Sequence, residues 1–199
     1  LPSWISLLAD QQAVKETSRT VFNTVHDYWS TLPEDSRPDL YLYGLSLGSY
    51  GVESILSSIN MVNEPSSGAF MSGPPFVNQL HSEIEADRDP GSPAWLPRYE
   101  GGRTVQFTSS GSQINEVVET NWGPTRLVYL QHSSDPVVFF NQALAFEEPQ
   151  WLLPGNRGPD IPAEMTWVPI VTMWQVALDL PAAGSVPIGN GHMYSPQSN

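Results

Sequence analysis

The sequence contains no cysteine, which excludes disulfides, thiolate metal ligands and a cysteine nucleophile together. Cationic side chains are scarce, 8 Lys and Arg against 21 Asp and Glu, for a formal charge of -13. Such a surface repels a phosphate backbone, so nucleic acid is not expected as a partner. Long apolar runs are missing too. The nearest, "WVPIVTMWQVALDL" from Trp167 to Leu180, holds Pro169 and Asp179 and reads as a buried or amphipathic helix. No secretory leader opens the chain, and this segment is expected to be soluble. The histidines show no H-E-x-x-H or comparable ligand spacing, so no metal is expected, and no other cofactor.

What is present suits one domain over residues 1–199, since 40% apolar residues can fill a sizeable core. The 19 prolines are interleaved with apolar segments rather than gathered into a linker. From Asp10 to Ser30 the residues Val14, Val21, Phe22, Val25 and Trp29 recur near the helical period and predict a helix with one buried stripe. "DLYLYG" predicts a short buried strand, and Ser49 to Ile59 a second helix. "EPSSGAFMSGPPF" reads as a loop because of its prolines and glycines, with Phe70, Met71 and Phe76 as a candidate pocket wall. Val77 to Ala86 predicts a short helix, Thr104 to Thr108 a strand, and "TRLVYLQH" a clear strand running into the turn "SSDP". Among the seven tryptophans, Trp29 and Trp174 are expected to fill core. Trp4, Trp95, Trp122, Trp151 and Trp167 fall in expected loops, where some could line an acyl pocket or touch a membrane surface. The alternation of strand and helix predicts an α/β fold of three layers with a mostly parallel sheet.

Gly44-Leu45-Ser46-Leu47-Gly48 matches G-x-S-x-G with a strand before it and a helix after it. A serine at that corner needs a strained backbone, and side chains two positions either side are expected to collide with the neighbouring elements. Ser46 is therefore the candidate nucleophile, and the backbone N–H of Leu47 the candidate oxyanion donor. A serine hydroxyl needs a base, and the base an orienting acid. Asp135 follows an apolar strand at its C-terminal end, where α/β folds place reactive groups. His192 lies in "GNGHMY", where glycines let a loop bring an imidazole over the serine. The order Ser, acid, His is that of the α/β-hydrolases. Each residue also has a plainer role: a structural serine, a turn-forming Asp before Pro136, an exposed loop histidine. His132 is expected to support the turn that holds Asp135.

With these residues the chain resembles a bacterial family of α/β-hydrolase domains found at the C-terminal end of multi-pass membrane proteins. The blocks "LPSWIS", "YLYGLSLGSYG", "SGPPFVN", "RDPGSPAWLP", "LVYLQHSSDPVVFF", "VTMWQVALDLP" and "GHMYSP" carry the resemblance over nearly the whole chain. It implies Ser46 as nucleophile, Asp135 as acid and His192 as base, transmembrane helices upstream in the natural protein, and a domain beside a membrane on its extracytoplasmic side. Hydrolases of this kind have several strands before the nucleophile strand, whereas about forty residues precede Ser46 here and read as one helix. The chain is thus expected to lack the first strands and the second oxyanion donor. An N-terminal fragment or another chain would then cover the exposed sheet edge. The expected activity is hydrolysis of a carboxylic ester with a lipid portion. The alternatives are an acyltransferase using the same acyl-enzyme, and a non-catalytic binding or regulatory domain.

Overall fold

The computed structural model describes residues 10–56, 67–110 and 126–194. Helix α1 (Gln11–Ser30) opens at Asp10, whose carboxylate accepts the Ala13 N–H at 3.0 Å and so satisfies one of the donors a helix start leaves free. Strand β1 (Tyr41–Leu45) leads through Ser46 directly into α2 (Leu47–Leu56). Then follow β2 (Gly68–Ser72), α3 (Gln79–Ala86), β3 (Val105–Thr108), β4 (Leu127–Leu130), α4 (Pro136–Phe139) and α5 (Val171–Asp179). The expected Ser49–Ile59 helix begins two residues early, and its last residues lie outside the described ones.

The four described strands form one parallel sheet in the order β1-β2-β4-β3. Leu45, Ser72, Leu130 and Thr108 stand in register at its C-terminal edge. This is the α/β fold with a parallel sheet that the alternating elements predict. Strand alternation sends Leu42, Ala69, Met71, Leu127, Tyr129, Val105 and Phe107 to one face, where they pack with Val52 of α2 and Ile84 of α3. Helix α1 packs outside α2. Beyond β4 a second core gathers Val138, Phe139, Leu144, Trp151, Leu152 and Val176.

Several expectations need correction. Gly68–Ser72, read as loop, is the strand lying between β1 and β4, and its Met71 is fully buried. Its glycines and prolines sit only at its ends, where they punctuate rather than prevent pairing. Strand β1, expected to be buried, is an edge strand with Tyr41 61% and Tyr43 65% exposed. In α1 the face toward the protein is Val14, Ser18, Phe22 and His26, while Val21 and Val25 are exposed. Contact with a single helix needs only a narrow strip of i, i+4 residues. The final helix starts at Val171 rather than Trp167, because Ile170 takes φ 65° and breaks the helical path. Trp174, expected in the core, is 57% exposed, whereas Trp151 is buried. Trp29, Trp95 and Trp167 are half-buried. Trp4 and Trp122 lie outside the described residues. Among the described residues no helix is long and apolar enough to cross a membrane.

Candidate active site

Ser46 is the one residue between strand β1, at the edge of the described sheet, and helix α2. Ser46 takes φ 54°, a left-handed conformation that costs a non-glycine residue about 1–3 kcal/mol and persists only where its surroundings hold it. Here its N–H donates to Ser72 O at 2.9 Å, tying the turn to β2, and its own carbonyl accepts the Ser49 N–H and Ser49 Oγ–H, both at 2.8 Å. A Cβ at Gly44 would lie 2.3 Å from Gly48 O, so Gly44 is what lets α2 start against the strand. Gly48 differs from expectation: a Cβ there meets nothing described within 4 Å. The N–H of Leu47 belongs to the first turn of α2, whose amides lack intrahelical partners.

Asp135 follows β4 through the turn His132–Ser134, and its side chain is completely buried. Its Oδ1 accepts the Val137 N–H at 2.8 Å, capping α4, whose first residue is Pro136. The turn-forming role and the site role therefore coexist in one carboxylate. Its Oδ2 meets His192 Nδ1 at 2.7 Å and accepts the Tyr194 hydroxyl at 2.7 Å. His192 Nε2 is buried and, among the described residues, has no hydrogen-bond partner, Ser46 Oγ included. The sequence-chosen Asp135 and His192 are thus joined, and Ser46 is not bonded to them. Ser46 and His192 nevertheless meet adjacent residues at the end of β2: Ser46 is bonded to Ser72, and a Cβ at Gly73 would lie 2.7 Å from His192 Cε1.

Three residues of this site escape the sequence reading. Gly73, at φ 55°, leaves room for both rings, since a Cβ there would also stand 2.5 Å from Tyr194 Cε2. Tyr194 stacks flat on His132 at 4.3 Å and meets His192 edge-on at 5.4 Å. Burial, together with the Asp135 carboxylate, pushes its phenol well above the usual range. Ser134 Oγ accepts the Gly191 N–H at 3.0 Å. The signal available in the sequence is proximity alone: Tyr194 lies two residues past His192, in the same short glycine-rich segment. His132 does what was expected and more. Its carbonyl accepts the Asp135 N–H, while its Nδ1 bonds Gly191 O at 2.9 Å and so ties the His192 loop to the acid turn.

A cavity of about 280 Å³ lies apart from these groups, among Phe76, Glu85, Phe140, Glu147 and Trp151. Of the expected pocket wall only Phe76 reaches it; Met71 is in the main core and Phe70 stacks on Tyr43 at 5.9 Å.

Comparison with the curated proteins and with the solved structures returns no match. The sequence profile of an alpha/beta-hydrolase family matches residues 1–199. With a glycine-flanked serine at a strained strand-to-helix turn and an Asp–His pair at the same sheet edge, the chain belongs to the alpha/beta-hydrolase family.

Proposed function

We propose that the protein is a serine hydrolase of carboxylic esters. Ser46 Oγ attacks the ester carbonyl and gives its proton to His192 Nε2, while the Leu47 N–H receives the developing oxyanion. Asp135 holds the imidazole in the tautomer protonated at Nδ1, leaving Nε2 free to accept. The imidazolium returns that proton to the departing alkoxide, and an acyl-enzyme remains at Ser46. Water, deprotonated by the same imidazole, then releases the acid. The observation that carries this reading is the 2.7 Å Asp135–His192 contact combined with a buried, unpartnered Nε2. A base whose second nitrogen were already occupied could not take the serine proton. The absent Ser46–His192 bond is compatible, because catalytic hydrogen bonds without substrate are often long and tighten in the complex.

The ester is proposed to carry a lipid portion, and the domain to work beside a membrane through segments outside this chain. Support comes from the outer face of α5, where Val171, Trp174 and Leu178 are exposed at helical spacing. Asp179 is the only Asp, Glu, Lys or Arg between residues 165 and 194. Among the described residues the outer side of β1 pairs with nothing, which supports a further strand from an N-terminal fragment.

The test is labelling with a fluorophosphonate probe, comparing wild type with Ser46→Ala and His192→Ala under conditions where circular dichroism reports all three folded. Labelling confined to wild type is expected. Absence of labelling in folded wild type, alone and with an N-terminally extended chain, would overturn the reading in favour of a non-catalytic domain. Products from p-nitrophenyl butyrate, with and without an added alcohol, separate hydrolysis from acyl transfer.

A further inference from the structure

One oxygen of the acid serves two donors. Asp135 Oδ2 lies 2.7 Å from His192 Nδ1 and 2.7 Å from the Tyr194 hydroxyl, while Oδ1 is committed to the Val137 N–H. The phenol oxygen itself accepts the His132 N–H at 3.2 Å, so its proton is directed at the carboxylate. Tyr194 is also gripped as a ring, between the flat face of His132 and the edge of His192. We propose that Tyr194 is a positioning residue whose hydroxyl draws charge from Asp135 Oδ2, thereby lowering the proton affinity of His192 below what the carboxylate alone would give it and keeping its ring correctly turned.

The proposal rests on the reading of Ser46, His192 and Asp135 given above. Its physical content is competition. A hydrogen bond to the charged carboxylate favours that charge by itself, so less of it remains to stabilise the imidazolium next to it. Removing the hydroxyl concentrates the carboxylate on His192 and raises the pH at which the imidazole loses its proton. Among the described residues, the ionisable groups touching the pair are Tyr194 and, stacked behind it, His132. Asp160 stands one residue further off, accepting the Ser133 hydroxyl at 3.0 Å. The high affinity of the phenol for its proton, raised by burial and by Asp135, keeps Tyr194 a donor to the carboxylate.

The experiment is an NMR titration of the His192 ring in wild type and Tyr194→Phe, which reads the pair whether or not the protein turns over an ester. The midpoint is expected to rise by about half to one pH unit. The acid limb of p-nitrophenyl butyrate hydrolysis should move the same way, with kcat about tenfold lower and KM little changed. Tyr194→Leu, which also removes the ring, should lower thermal stability further than Phe does. An unchanged midpoint in folded Tyr194→Phe overturns the proposal, even if that variant is less stable. Where Phe does not fold, 3-fluorotyrosine at position 194 supplies the opposite sign. A more acidic phenol of the same shape must move the midpoint down, and a fixed midpoint again overturns the proposal. Failure of wild type to label with fluorophosphonate, beside a shifted titration, removes the hydrolase reading and leaves the role of Tyr194 in the pair standing.

Discussion

A single methyl group separates Gly44 from Gly48 in consequence, although both belong to the same motif. At Gly44 it would meet the Gly48 carbonyl at 2.3 Å, a backbone contact that no rotamer can relieve. Gly44→Ala is therefore expected to displace α2 and abolish labelling of Ser46, with a loss of several kcal/mol or of folding outright, read by urea unfolding. At Gly48 the methyl meets nothing described within 4 Å, and the residue lies inside α2, where alanine is favoured over glycine by about 1 kcal/mol. Gly48→Ala should keep the fold and gain up to that amount in the same measurement. Sequence reasoning treats the two glycines alike because the motif is symmetric around its serine. The turn is not: α2 climbs away from β1, so only the glycine on the strand faces the other element.

At the scale of elements, the packing of α3 shows how buried polarity is managed. Its first-turn amides, Leu80 and His81 N–H, donate to the Glu53 carboxylate of α2 at 3.1 and 3.0 Å, and Tyr129 of β4 adds its hydroxyl at 3.0 Å. Burial raises the Glu53 carboxyl above its usual range in spite of these donors. His81, also buried, gives its Nε2–H to Gln131 Oε1 at 2.6 Å, and burial lowers its imidazole from 6.5 to about 4. A depressed histidine favours the fold fully above pH 6.5, and that contribution is lost as pH falls toward 4, to a limit of about 3 kcal/mol. His81→Gln keeps a donor for Gln131 but cannot titrate. Its stability in urea is expected to change less than that of wild type between pH 6.5 and 4, and equal slopes would contradict a buried neutral imidazole. Among the elements, α1, α2 and α3 were legible through their helical periodicity, and β3 and β4 through their β-branched and aromatic content. β2 was not, since Gly68–Ser72 contains no β-branched residue and is set among glycines and prolines, and its strand character comes from neighbours on both sides. The same limit applied to the site: Ser46, Asp135 and His192 carry chemical types and an order, whereas Gly73 and Tyr194 matter through contacts that only the fold creates.

At the scale of the whole molecule, charge is unevenly spread along the chain. The chain carries a formal charge of -13, yet residues 165–194 hold one carboxylate, and their exposed side chains include Ile170, Trp174 and Leu178. Under the proposed membrane role, that face would enter an uncharged lipid surface with Asp179 as the one ionised side chain to keep in water, while the acidic remainder would be repelled by anionic headgroups. Wild type is expected to co-sediment with phosphatidylcholine vesicles, less well with vesicles containing phosphatidylserine. Trp174→Asp combined with Leu178→Asp should remove the binding without changing fluorophosphonate labelling in solution. Equal sedimentation of the variant would assign the patch to something other than lipid. The order of the site along the chain has a consequence for synthesis. The four described strands all precede the 183–192 loop, so a ribosome can release the chain of this parallel sheet, with Ser46 already at its edge, before His192 and Tyr194 emerge. During that interval the serine has its turn but no base. Under the proposed chemistry, the nascent protein is harmless to the esters around it until its last described turn docks.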